Sequence, residues 1–489
     1  MEVVQHAEKW ITAHAGGSHF VWVHLYDPHD PYEPPPPYSQ TYKDHLYDGE
    51  IAYADSALAD FLAYLKKHGR YDNSLIVVVG DHGEGLGEHH EDTHGIFLYD
   101  STTHVPLIVK LPSRGNAGKV VDAQVRTTDI LPTVLDLLHV PAPEKLDGES
   151  LKPYVGGAES ASRTAFGETD YPLRFGWAPL RSVRADGFKF IEAPKPELYD
   201  LGKDPGELNN QYQPWNDTVQ KDRKLLADVR AKVPAATPSR ATVGQGTVNE
   251  LKALGYLGQA DVGSSTNVPE PSLSPDPKDK IEEQNLLHTA MIASEDERPA
   301  EARAALEKVL QLDPKSPTAL KQIGELELKA GDYTNAARHL KAAREIRPDD
   351  AVAAFEAGQA LAKIGDLAGA RDALEASLKL QPSQFPARLL LGSVYLALKD
   401  PKAADDQFEA ALLLEPKSVE AQIGVAKAQI TRGNFADALS QLETLSKSHP
   451  DNAEVFEALA EAYAGTGKSG EAKQAETRAK QLKKKAGSD

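Results

Sequence analysis

At 489 residues the chain is long enough for two or three domains, and 40% hydrophobic with 26% charged residues is the balance of ordinary globular protein. A formal net charge of −19 argues against non-specific nucleic-acid binding, which needs a basic face, and no apolar window approaches the length of a transmembrane helix. Cysteine is absent, which removes disulfides, thiolate metal sites and cysteine nucleophiles, and the opening MEVVQHAEKW has neither the basic nor the apolar region of an export signal.

The first region runs to about residue 258. FVWVHLY (20–26) is an apolar run too short for a helix, closed by the breaker DPHDPYEPPPPY. Asp48 then caps an expected helix on which Ile51, Leu58, Phe61, Leu62 and Leu65 keep helical spacing, with Gly69 as its stop. LIVVV (75–79) reads as a strand buried on both faces, VPLIVKL (105–111) as another, and TTDILPTVLDLLHV (127–140) as a helix. This order predicts an α/β layer with a mainly parallel sheet. From about 160 the texture changes to a short-stranded hairpin unit, with turns at Asp186-Gly187 and Asp204-Pro205-Gly206, followed by helices near 216–232 and 248–255.

Residues 258–280, GQADVGSSTNVPEPSLSPDPKDK, are rich in Gly, Ser and Pro and read as a linker. The remainder, 281–489, is periodic. Pro314, Pro348, Pro382, Pro416 and Pro450 fall every 34 residues, and Gly324, Gly358, Gly392, Ala426 and Ala460 keep the same register. So do Gly331, Gly365, Gly433 and Gly467, and Ala336, Ala370, Ala404, Ala438 and Ala472. Small residues suit the close approach of two helices in a hairpin, a glycine turns between them, and a proline stops the second. The pattern resembles tetratricopeptide repeats, about six units with the first degenerate, and KQLKKK near the end reads as a solvated cap. The repeat face could be a spacer or a surface for a protein or peptide.

Two polar clusters carry the chemistry, DPHDPY after FVWVHLY and GDHGEG after LIVVV. In open α/β sheets ligands bind at the carboxyl ends of strands. Asp81 and His82 offer a hard oxygen and an imidazole nitrogen to one cation, while Gly80, Gly83, Gly85 and Gly87 let the backbone turn tightly. The plainer alternative is a strand-end turn with solvated polar side chains. His24 reads as a core histidine, His89 and His90 as solvated loop residues, and PYEPPPPY as a stiff loop edging the site rather than a polyproline ligand.

WVHLYDPHDPYEPP, YDGEIAYADSALADFLAYL, VVVGDHGEGLGEHHEDTHGIFLYDSTTHVPLIV, TTDILPTVLDLL, LDGESLKPYV and ELYDLGKDPGELNN follow one another as in the sulfatase family of the alkaline-phosphatase superfamily, which residues 20–212 resemble. The resemblance implies that Asp81 and His82 ligate an active-site divalent metal (manganese or zinc from the His82 ligand, calcium from the family's Asp-Asn variants). It implies that His29 contacts the substrate's sulfate or phosphate group or its leaving oxygen, and that His94, where the family often has lysine, does similar work. Family members hydrolyse sulfate esters, or phosphate esters, through a covalent intermediate. Their nucleophile and first metal-binding aspartates lie in a front segment that would precede everything here, so the chain is expected to be a fragment that is inactive or nearly so alone.

The expected architecture is therefore an incomplete sulfatase-like α/β domain (1–160), a sulfatase C-terminal β/α subdomain (161–257), the linker, and an all-α tetratricopeptide solenoid (281–489). The expected function is metal-dependent hydrolysis of sulfate or phosphate esters. Alternatives are a repeat scaffold with a vestigial hydrolase portion, and phosphodiester or phosphotransfer chemistry. No nucleic-acid partner and no membrane span are expected, and localisation stays open.

Overall fold

The computed structural model describes residues 1–14, 16–232 and 274–486. The helix expected at 248–255 and most of the 258–280 linker lie outside them. The chain forms two compact units, the first ending at Asn285 and the second continuing from Leu286.

In the first unit, helix α1 (Glu2–Ala13) buries Val4 and Ile11 and lies along helix α2 (Leu46–Lys67), where Thr12 Oγ1 meets Tyr64 Oη at 2.7 Å. Asp48 sits in the first turn of α2, near the positive end of its dipole, rather than at the cap. Gly69 ends the helix at φ +67° as expected. The buried residues of α2 are Gly49, Glu50, Ala57 and Leu65; of the expected face Leu65 is buried, Leu58, Phe61 and Leu62 are half-buried, and Ile51 is exposed. Pro34 fills the space over Gly49, where a Cβ would stand 2.9 Å from its Cγ, so the proline-rich loop is packed onto α2.

The α/β class holds, but the strands do not pair in parallel. Strand β1 (Ile76–Val79) runs antiparallel to β2 (Leu107–Lys110), with Val77 opposite Val109. A parallel neighbour needs a long crossover, usually helical. Between these two strands the only α-helix is the single turn Asp100–Thr103, so the chain simply turns back. Residues 20–26 join no ladder, and Phe20 and Trp22 are about as exposed as side chains become, at 80% and 81%. Nor is β1 buried on both faces. Leu75, Val77, Leu107 and Val109 face helix α3 (Ile130–Leu137), while Ile108 on the opposite face is 62% exposed.

The second sheet is an antiparallel meander of β3 (Ala165–Thr169), β4 (Leu180–Ala185), β5 (Phe188–Glu192) and β6 (Glu197–Asp200). Asp186 and Gly187, at φ +51° and +80°, make the expected two-residue turn between β4 and β5. Helix α4 (Asp217–Lys232) covers one face, packing Val219 and Leu226 on Val183, Phe190 and Leu198. The buried Lys189 ammonium joins Asp100 Oδ1 (2.8 Å) and Glu207 Oε1 (3.3 Å), fixing the segment after the site loop to the meander. The end of the segment expected as linker is folded here. Ala178 N donates to Pro275 O (2.9 Å), the buried Asp276 carboxylate accepts Lys195 N–H (2.8 Å), and Ile281 joins the Trp177 cluster.

From Ile281 to Ala486 the described elements are six pairs of helices in succession. The glycines of the repeat work as their spacing predicts. A Cβ on Gly324 or Gly358 would lie 2.5 or 2.6 Å from the Cγ of Leu340 or Leu374, so helix backbones touch side chains there. Gly331, Gly365, Gly433 and Gly467 turn at φ between +78° and +84°, and Glu297 and Lys399 take φ +58° and +63° at the register positions lacking glycine. Ala336, Ala370, Ala404 and Ala438 are fully buried between helices.

Candidate active site

Asp81 and His82 emerge at the carboxyl end of β1, and the chain then folds tightly over itself. Gly83 N donates to Thr102 O (2.8 Å). A Cβ on Gly83 would lie 2.0 Å from Ser101 O, and one on Gly85 2.5 Å from Thr93 O, so only glycine fits at either position. Gly87 turns at φ +98°. Asp81 Oδ1 accepts the His82 backbone N–H (3.0 Å), and Asp81 Oδ2 stands 3.7 Å from His82 Nε2, both side chains being exposed. His82 Nδ1 lies 2.9 Å from the Gly83 carbonyl. A carbonyl only accepts, so Nδ1 donates to it, which leaves Nε2 as the ring nitrogen on the Asp81 side.

His94 lies beside this pair, its ring centroid 4.0 Å from that of His82. Its Nδ1 meets Glu84 Oε1 at 3.0 Å. Burial alone would lower the His94 pKa, but the hydrogen bond and charge of Glu84, helped by Glu91 and Asp81, outweigh it and raise the value, favouring the imidazolium. His29 stands edge-on to His94 with centroids 5.4 Å apart, and its Nδ1 meets the Asp30 carbonyl at 2.7 Å, with Tyr26 stacked on its ring. The two polar loops meet here, and each of the three imidazoles has an oxygen partner at Nδ1.

Three buried glutamates that sequence reasoning did not single out support this arrangement. Glu84 holds the His94 ring. Glu50, on α2, accepts the backbone N–H groups of His29 (2.9 Å) and Glu33 (2.8 Å). Burial raises its pKa, and those two bonds pull it back. Glu91 Oε1 accepts Ile96 N–H (2.9 Å) and Phe97 N–H (3.2 Å) just beyond His94. The available signal for Glu50 is its register: it falls in the buried stripe with Ala57 and Leu65. Two expectations are corrected. His24 is exposed, because the strand that would have buried it does not form. His89 is half-buried and stacked on Tyr99 at 3.5 Å, because the 88–90 turn folds it inward.

Among the described residues no group of three or more His, Cys, Asp or Glu is placed to hold a metal ion, and no helix is long and apolar enough to cross a membrane. Asp81 Oδ2 and His82 Nε2 nevertheless suit one cation, since the Nδ1–carbonyl bond is the support that metal-ligating histidines use to orient the ring.

The chain matches known families in both of its parts. Residues 1–140 match the sulfatase model, residues 87–232 the N-sulphoglucosamine sulphohydrolase C-terminal model, and residues 293–364, 327–394 and 395–462 the tetratricopeptide repeat model. An arylsulfatase of Clostridium perfringens is 30% identical over 192 residues, covering 37% of this chain and 38% of its own length. A Delta 4,5-hexuronate-2-O-sulfatase of Bacteroides thetaiotaomicron is 32% identical over 166 residues, 32% of this chain and 34% of its own. The solved phosphonate monoester hydrolase of Agrobacterium radiobacter is 31% identical, covers 39% of this chain and 41% of its own, and superposes with a TM-score of 0.35. The chain thus joins a sulfatase-like α/β region to a tetratricopeptide array. It spans about a third of the length of the curated relatives it matches.

Proposed function

We propose that the first unit supplies part of a metal-dependent hydrolase centre for sulfate or phosphate esters, and that the array docks the enzyme to a protein or peptide. The observation that carries the first half is the convergence of His29, His82 and His94, each pinned at Nδ1, beside Asp81 at a strand end. Asp81 and His82 would hold a divalent cation (calcium, manganese or zinc), which when bound polarises an ester oxygen and keeps a nucleophile ionised. His94, made cationic by Glu84, would grip the anionic group, and Nε2 of His29 would hand a proton to the leaving oxygen. Two protein ligands are fewer than a catalytic dication usually takes, which supports reading this chain as one portion of the centre.

Calorimetric titration of the full chain with Mn²⁺, Ca²⁺ and Zn²⁺ tests the ligands. One cation should bind, and Asp81→Ala or His82→Ala should abolish that binding while the array remains helical. Binding unchanged in both variants would remove the metal assignment. Turnover of an aryl sulfate or phosphate ester by the chain alone, lost in Asp81→Ala, would refute its dependence on a further portion.

A further inference from the structure

We propose that Glu50 is a positioning residue that locks the 29–33 loop and so aims His29 at the site, an inference that rests on the proposed role of His29. Glu50 is 2% exposed in the buried stripe of α2, so its carboxylate is not left to water. Instead Oε2 takes the His29 N–H (2.9 Å) and Oε1 the Glu33 N–H (2.8 Å). The two donors lie four residues apart in a segment that joins neither helix nor ladder, so no regular backbone partner fixes it. One rigid, helix-borne group therefore grips the loop at the very backbone unit that carries the His29 ring. From there the Asp30 carbonyl sets the ring's Nδ1, and the ring meets His94 edge-on.

A carboxylate is the side chain this task requires. Both of its oxygens only accept, and both face donors. Glutamine has the same shape but presents one oxygen and one NH₂ group, so one of the two loop amides would confront a donor. A residue that merely fills the space is replaced by glutamine without loss; a two-point clamp is not. Bonds to a charged acceptor are about twice as strong as neutral ones, so their effect on loop position is large for one substitution.

The test uses the full chain with ¹⁵N-histidine and ¹⁵N-glutamate labels, titrated with inorganic phosphate and inorganic sulfate. In the wild type the His29 ring signals should shift saturably. Glu50→Gln should weaken that response about tenfold, the loss of one charge-assisted bond. It should also move the His29 or Glu33 amide resonance, with the amide resonances of His45 and His68 at the two ends of α2 nearly unchanged. Equal anion affinity in wild type and Glu50→Gln, or unmoved His29 and Glu33 amides, overturns the clamp. Should the wild type ignore both anions, the role of His29 in the proposed function falls, and the amide shifts alone still decide the clamp. Should Glu50→Gln fail to fold, hydrogen exchange in the wild type decides: protected His29 and Glu33 amides support the clamp, and exchange as fast as an exposed loop overturns it.

Discussion

Replacing Glu91 with glutamine should stabilise the first unit, and by much more at alkaline pH than near pH 5. Glu91 is 3% exposed, and burial raises its carboxyl pKa from 4.5 to about 7, although the N–H groups of Ile96 and Phe97 and the nearby His94 pull it down. The unfolded chain releases the proton near 4.5 and the folded chain near 7. Below both values the group is neutral in each state. Between them the folded state alone keeps its proton, so stability falls as pH rises, and above 7 the whole penalty is present. A difference of about 2.5 pH units corresponds to about 3 kcal/mol at pH 8, and to about 1 kcal/mol at pH 5. Glutamine removes the charge but keeps the acceptor, because both N–H groups bond the same oxygen, Oε1. Urea unfolding followed by tryptophan emission reads the right unit, since Trp10, Trp22, Trp177 and Trp215 all precede the array and Trp177 shares a core cluster with Ile96 and Phe97. A gain that is the same at pH 5 and pH 8, or no gain at all, would refute the reasoning.

Gly358→Ala should destabilise the repeat array by about 1–3 kcal/mol, because the added carbon meets Leu374 Cγ at 2.6 Å; far-ultraviolet circular dichroism in urea measures it. Asp350→Ala should cost about 1 kcal/mol in the same assay, through loss of the cap that accepts Val352 and Ala353 N–H. Lys189→Met should destabilise the first unit by about 3–5 kcal/mol in tryptophan-detected unfolding, since Glu207 is left buried without its cation while Asp100 keeps Arg184.

The repeat array was legible in full because its signal is translational. A glycine that must admit Leu340 recurs 34 residues later to admit Leu374, and chance does not keep such a register. The first unit was legible by element and not by pairing. LIVVV and VPLIVKL are strands, yet β-branched composition is the same for parallel and antiparallel neighbours, and only the 80–106 connection decides between them. FVWVHLY shows the sharper limit. Its residues favour extended backbone, but a strand exists only where another supplies the ladder, and that partner is not a property of the seven residues.

The candidate site divides along a similar line. Asp81 and His82 stood out as polar residues directly after an apolar run, whereas His29 and His94 were singled out through the resemblance to sulfatases. The carboxylates behind them were not, because a glutamate in a helix or a glycine-rich loop looks solvated until its register is known. Yet Glu50, Glu84 and Glu91 determine what the histidines can do. Glu50 sets where the His29 backbone lies, Glu91 anchors the chain just beyond His94, and Glu84 fixes the His94 ring and favours its charge. A histidine standing where the resembling family often has lysine serves the same electrostatic purpose only if something keeps it protonated. Glu84, buried at 7% exposure and 3.0 Å from Nδ1, is that condition. Removing its charge with Glu84→Gln should therefore bring the His94 pKa down, read by the ring's NMR titration, and an unmoved titration would show that His94 does not depend on Glu84 for its charge.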